Sequence, residues 1–257
     1  MRFWILLLVS GWALAAQASS NAPLEAVMER LDGDAGQRIA ARFEQVGVDF
    51  PPQRVQLIAL KESRRLELWA YSQQRWWFIH DYAIFAASGE AGPKLREGDK
   101  QVPEGFYRIV GLNPNSHFHL SMRLNYPNAF DWVQAGREDR HKPGSNIYIH
   151  GSAWSAGCLA IGNHYIEELF YLVARLGVEK AAVLIVPYDF RSRAITATEE
   201  PAWLDDLYGY LKLRLAKFPL SEKRLGCGLG WLWSAIGTKL SLPGVCCKTH
   251  LRQAHCV

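Results

Sequence analysis

Residues 149–163, IHGSAWSAGCLAIGN, bring a histidine and a cysteine close together among serines and glycines. A cysteine attacks carbonyl carbon as its thiolate, and a neighbouring imidazole is the usual base that takes the proton. Cys158 is the candidate nucleophile and His150 the candidate base. Gly157 permits a positive φ, which turns the amides of Gly157 and Cys158 toward one point, an oxyanion hole for a tetrahedral intermediate. The imidazole needs a third group to orient it, and the Ser155 hydroxyl or a backbone carbonyl at Gly151 or Ser152 is in reach. A lone cysteine is often an inert core residue and a strand-end histidine often only hydrogen-bonded. It is the combination that points to acyl transfer through a thioester.

These side chains need rigid elements to hold them. The segments RVQLIALK, RLELWAYS and RWWFIHDYAIFAAS, beginning at Arg54, are short, aromatic and β-branched, with polar turns between them, as in a β-meander. Further strands are expected at FYRIVGLN, HFHLSMRLN, NIYIH and AAVLIVP. Between the first strands and the later ones runs GEAGPKLREGDKQVPEG, a loop of glycines, prolines and charges whose place beside a sheet favours a functional role. NYPNAFDWVQAGREDRHKPGS reads as turn-rich connection. Helical spacing occupies residues 19–50, with a break at Asp32-Gly33 and a stop at Gly47, and recurs in HYIEELFYLVARLG and in PAWLDDLYGYLKLRLAKF, which opens with Pro201. The expected fold is mainly β with peripheral helices, an α+β arrangement built on an antiparallel β-sandwich or half-closed barrel.

The chain ends set the compartment. MRFWILLLVSGWALAAQASS combines Arg2, an apolar run and the small-x-small site Ala16-Gln17-Ala18, the pattern of an export signal over residues 1–18. The apolar run is shorter than a membrane-spanning helix requires, so no stable membrane span is expected after cleavage. A net charge of +4 without a dense basic block gives no sign of nucleic acid binding. Cys158 is alone in the body of the chain, while Cys227, Cys246, Cys247 and Cys256 fall in residues 225–257. That tail admits disulfides or, with His250 and His255, a zinc site, but its spacing fits no standard zinc pattern.

The motif His-Gly, then Ser-x-Gly-Cys, in IHGSAWSAGCLAI resembles the active-site signature of the L,D-transpeptidase (YkuD-type) family of cell-wall enzymes. The upstream segment GPKLREGDKQVPEGFYRI is similar to that family's run of glycine, lysine, Gly-Asp and Pro-x-Gly-x-Tyr, and together with LNPNSHFHLSMRLNYPNAFD it looks most like the YafK-like branch. The resemblance covers residues 54–190 as a catalytic domain, leaving the N-terminal helical segment, a C-terminal helix within 191–224 and the tail outside it. It implies a β-rich domain whose cysteine attacks the carbonyl of the third residue of a peptidoglycan stem peptide, usually a diaminopimelate, giving a thioester that passes to an amine or to water. By motif position Cys158 and His150 carry the chemistry, with Ser155 and Gly157 shaping the loop. In the YafK-like branch the implied reaction is hydrolysis that frees a peptidoglycan-bound outer-membrane lipoprotein. Two positions depart from the pattern: Ala156 stands where the family carries a second histidine, and Ala160 where it carries a polar residue.

Among the remaining candidates, His119 is expected to line the cleft, Lys94 and Arg96 to meet stem-peptide carboxylates, and Trp154 to pack against substrate or seal the loop. His117 and His119 alternate as on one strand face, a spacing that a zinc peptidase would use, though no acidic residue sits at a partner spacing. The expectation is therefore a periplasmic cysteine acyl-transfer enzyme acting on peptidoglycan with neither metal nor organic cofactor. Its alternative from another class is a non-catalytic cell-wall-binding module that retains the motif as a scaffold.

Overall fold

The computed structural model describes residues 22–196 and 201–220. The export segment 1–18 and the cysteine-rich tail 225–257 lie outside the described residues.

The chain enters through α1 (Ala22–Leu31) and α2 (Gln37–Gln45), which are joined by a π-helical turn at Asp32–Gly36 rather than by the break expected there. Helix α2 ends when Gly47 N–H bonds to the Glu44 carbonyl and Val48 N–H to that of Phe43, the paired bonds of a Schellman cap, with Phe43 and Val48 both in the core. Strands β1 (Arg54–Leu60), β2 (Arg65–Ser72) and β3 (Arg75–Ala83) form the expected meander, and β4 (Ala86–Ala87) follows directly. Then come β5 (Gly105–Ser116), β6 (His119–Leu124), α3 (Ala129–Arg137), β7 (Tyr148–His150), β8 (Leu159–Ala160), α4 (Asn163–Leu176), β9 (Ala181–Val186) and α5 (Leu204–Leu215).

The strands make one sheet in the order β3-β2-β1-β9-β5-β6-β7-β8-β4. Its pairing is mixed, because β1 with β9 and β7 with β8 run parallel, which corrects the wholly antiparallel expectation. Neither parallel pair is joined by a tight hairpin: β7 reaches β8 through the 151–158 loop, and β9 joins β1 only after the chain has returned through α4. The two edge strands, β3 and β4, are consecutive in sequence with only Ile84 and Phe85 between them. Ile84 N–H bonds to Arg64 at one edge and Phe85 N–H to Ala160 at the other. Two residues reach only about 10 Å across their flanking Cα atoms, so the sheet must curl until its edges nearly meet. This is the half-closed barrel. Strand β5 makes the bend, pairing with β9 through Gly105–Arg108 and with β6 beyond Ile109, with register shifts along the way.

Both faces of the central strands are covered, which is why β1 is buried almost throughout and reads as a continuous apolar run. Val55, Leu57 and Ala59 join the core under α2 and α4, whereas Ile58 and Leu60 pack with Leu204, Leu207, Leu211 and Leu215 of α5. Helix α3 corrects the turn-rich reading of its segment. Asn128 caps it, accepting from Phe130 N–H and Asp131 N–H, while the Asp131 carboxylate accepts from Asn128 N–H, a complete capping box. No helix among the described residues is long and apolar enough to cross a membrane.

Candidate active site

Strand register brings the two principal residues together. In the parallel pair β7/β8, Ile149 lies opposite Leu159 and His150 opposite Ala160. Ile149 and Leu159 are fully buried in the core. By alternation, Tyr148, His150 and Ala160 look the other way, and Cys158, one residue before Leu159, joins their set. His150 and Cys158 are thus one diagonal step apart on the same face, their Cα atoms roughly 8 Å from each other for a strand spacing of about 4.8 Å and a rise of about 3.3 Å per residue.

The imidazole is held from two sides. Its Nδ1 lies 2.5 Å from the Gly151 carbonyl oxygen, which only accepts, so Nδ1 carries the proton and Nε2 keeps a lone pair for base work. Of the orienting groups open from the sequence, the Gly151 carbonyl is the one in place. Phe118 stacks on the ring with centroids 4.5 Å apart and in turn stacks on Trp154. His150 is 2 % exposed, and this burial pushes its pKa below the ordinary 6.5 even though the carbonyl pulls the other way. A side chain at Gly151 would meet the Phe118 carbonyl at 2.5 Å and Asn163 Oδ1 at 2.7 Å, so the tight approach behind the imidazole requires glycine.

Cys158 is half-buried, with its thiol 3.7 Å from the Asn146 carbonyl. Burial raises the thiol pKa above the ordinary value, against the pull of the Tyr148 backbone amide and the Lys94 ammonium. Both shifts favour the neutral forms. A neutral thiol beside a neutral imidazole suits a base that takes the proton as the sulfur attacks.

The turn carrying the cysteine is tied by hydroxyls. Gly157 has φ +111°, as its glycine promised. Ser155 Oγ donates to the Cys158 carbonyl at 2.7 Å and accepts from Cys158 N–H at 3.1 Å. Gly157 N–H donates to Ser88 Oγ at 2.6 Å and more weakly to Ser155 Oγ at 3.3 Å. The two amides expected to form an open oxyanion hole are therefore occupied by serine oxygens, and Ser155 shapes the loop instead of orienting His150.

The profile of the L,D-transpeptidase catalytic domain, YkuD, matches residues 53–185. The chain belongs to the L,D-transpeptidase family. It is 34 % identical over 134 residues to the putative L,D-transpeptidase YafK of Escherichia coli strain K12, an alignment covering 51 % of this chain and 52 % of that one. The chain thus spans about half the length of the relatives it matches. Among solved structures it is similar to the helical cell shape determining protein Pgp2 of Campylobacter jejuni, at 21 % identity and TM-score 0.45, covering 59 % of this chain and 56 % of that one. Bdellovibrio bacteriovorus Bd1075 is similar at 21 % identity and TM-score 0.39, with 65 % and 55 % covered.

The other expected site residues of this L,D-transpeptidase domain have neighbours of their own. Lys94 is buried, its ammonium paired with Asp99 and bonded to the Arg96 carbonyl at 3.0 Å. It braces its own loop and acts on Cys158 through its field rather than offering a free cation to a carboxylate. Arg96 is exposed on the same loop, its backbone amide donating to Asp99. Trp154, 62 % exposed, covers Phe118 at the surface. His119 Nε2 lies 2.7 Å from Glu167 Oε1 of α4, while His117 sits in the β5–β6 turn, so the two do not share a strand face. Among the described residues no group of three or more histidine, cysteine, aspartate or glutamate side chains is arranged to hold a metal ion. Sequence reasoning missed Ser88 and Phe118. Nothing in FAASGE or HFHLS distinguishes a loop tie or an imidazole cover from an ordinary strand-end residue.

Proposed function

We propose that this domain transfers acyl groups on peptidoglycan stem peptides through a Cys158 thioester formed at the third, diaminopimelate, residue. The observation that carries this reading is the diagonal placement of His150 and Cys158 on one face of β7/β8, with the imidazole proton committed to Gly151 and Nε2 left as the base. His150 takes the thiol proton as Sγ adds to the carbonyl carbon. The tetrahedral adduct collapses, the amide bond to the next residue breaks, and the leaving amine takes the proton back from the imidazolium. The thioester then passes to an incoming amine or to water, with His150 again accepting the acceptor's proton. Such a substrate places the work outside the cytoplasm, in the periplasm, in keeping with the export pattern of residues 1–18. The role needs no metal or organic cofactor. The partners are stem peptides and, if water is the acceptor, a peptidoglycan-linked outer-membrane lipoprotein.

Mass spectrometry of muropeptides, and of lipoprotein-linked muropeptides, incubated with wild-type protein or with Cys158→Ala tests the reading. New cross-links or exchanged terminal residues that depend on Cys158 make the acceptor an amine. Release of the lipoprotein with a free tripeptide makes it water. Unchanged substrates with wild type, or turnover retained in Cys158→Ala, overturn the proposal and favour a wall-binding module.

A further inference from the structure

Strand β4 pairs antiparallel with β8, Ala86 opposite Ala160 and Ala87 opposite Leu159. The next step of that register sets Ser88 beside Cys158. Gly157 is buried, so its amide must find an acceptor, and its shortest bond, 2.6 Å, goes to Ser88 Oγ. The alternative acceptor, Ser155 Oγ, is farther away and already holds both the carbonyl and the amide of Cys158. Ser88 and Ser155 oxygens are 3.4 Å apart, which leaves the Ser88 proton directed at Ser155 and links the two ties into one network. The Ser88 carbonyl accepts from Val102 N–H, fixing it to the far end of the 88–102 loop. Gln101 of that loop backs Gly157: a side chain there would stand 3.3 Å from the Gln101 carbonyl.

From this arrangement we infer that Ser88 is a positioning residue for the nucleophile. It fixes the Gly157–Cys158 peptide plane, and hence the direction of the thiol, from the residue that follows β4, on the opposite side of β8 from His150. The base is aimed by the end of β7 and the nucleophile by the residue just past β4, so the reactive pair is assembled across β7, β8 and the end of β4. A misplacement of the order of 1 Å in such a pair costs roughly a hundredfold in rate.

This inference rests on the acyl-transfer reading, and the experiment separates the two. Steady-state turnover of a tetrapeptide muropeptide and the pH dependence of iodoacetamide alkylation at Cys158 are measured for wild type, Ser88→Ala, Ser88→Thr and Cys158→Ala. Ser88→Ala is expected to lower kcat by roughly tenfold or more with KM nearly unchanged, and to shift the alkylation midpoint, because the thiol leaves its set position. Ser88→Thr, which keeps the hydroxyl, restores kcat to near wild type. Turnover in Ser88→Ala at the wild-type rate, with Cys158→Ala inactive, overturns the inference alone. Equal losses in Ser88→Ala and Ser88→Thr with unchanged melting also overturn it, since the hydroxyl would then not be what matters. Full turnover in Cys158→Ala overturns the acyl-transfer reading itself.

Discussion

His150 and Cys158 are each buried enough to prefer their neutral forms, and that decides how their chemistry responds to pH. Below the ordinary imidazole value of 6.5, from which His150 is displaced downward, the ring gains a proton and ceases to be a base. The free-enzyme kcat/KM is therefore expected to fall on an acid limb below 6.5 and to stay level up to the thiol's own ionisation, which burial lifts above 9.0. A limb centred above 6.5 would contradict the buried neutral base. Phe118 tests the cause of the shift. Phe118→Ala removes the stacked ring, worth about 1 kcal/mol as an aromatic contact, and lets water reach the imidazole. Its pKa then rises toward 6.5, and the acid limb moves to higher pH, which a histidine NMR titration reads directly. The candidate nucleophile, the candidate base and the glycine turn between them could be picked out in the sequence because their residue types and spacing are chemically narrow. Ser88 and Phe118 were not, because their roles follow from strand neighbours that are distant in sequence and from ring planes that no spacing encodes.

The elements that hold these residues are tied by buried polar groups as well as apolar faces. Lys61 at the end of β1 bonds to the Gly92 and Val102 carbonyls and to Glu104 at 2.8 Å, clasping the two ends of the site loop. Tyr208 of α5 donates to the other oxygen of Glu104 at 2.6 Å. Tyr208→Phe deletes a bond to a buried carboxylate and should lower unfolding free energy by about 2 kcal/mol, measured as a shift in urea midpoint at constant m. A second element carries its own pH signature. Burial raises the Asp131 carboxyl, which caps α3, to about 6. Its folded value thus lies above the ordinary 3.8, so the unfolded chain loses this proton first. The group's contribution is fully present below 3.8 and is lost as pH rises through about 6, a decline on the order of 2–3 kcal/mol. Asp131→Asn retains the capping oxygen without the charge. It is expected to gain stability relative to wild type between pH 4 and pH 7, and an unchanged difference across that range would contradict the buried carboxyl. Helix α3 was hidden in a segment of turn-forming residues, where the Asn128-to-Asp131 capping box was its one local signal. The long strands and α4 were plain from their periodicity, whereas two-residue β4 and β8 are too short to show any.

Across the whole molecule, two buried carboxylates of the segment that matches the family, residues 53–185, take arginine partners from outside it. Glu168 of α4 is fully buried and meets Arg38 and Arg42 of the N-terminal helices, while Glu67 of β2, equally buried, meets Arg191 beyond β9. Glu104, paired with Lys61 inside the segment, also accepts from Tyr208 outside it. Apolar packing follows the same division, since Ile39 and Phe43 lie within the inner core and Leu207 and Leu211 seal the outer face. The sequence did show helices flanking a strand-rich centre, but it gave no sign that charges inside that centre depend on them, because a carboxylate's burial is a property of the assembled sheet. Removing one partner from a buried pair costs about 3–5 kcal/mol, and a domain has only about 5–15 kcal/mol of net stability to lose. A fragment of residues 53–185 would expose both apolar faces and take Arg191 away from Glu67 and Arg38 and Arg42 away from Glu168. We expect it to lack a cooperative thermal transition and to show collapsed amide proton dispersion, whereas a chain of residues 22–220 melts in a single step. A fragment that melts cooperatively within a few degrees of the longer chain would mean that the flanking helices merely decorate a self-sufficient barrel, and that the buried glutamates find other neutralisation once Arg38, Arg42 and Arg191 are gone.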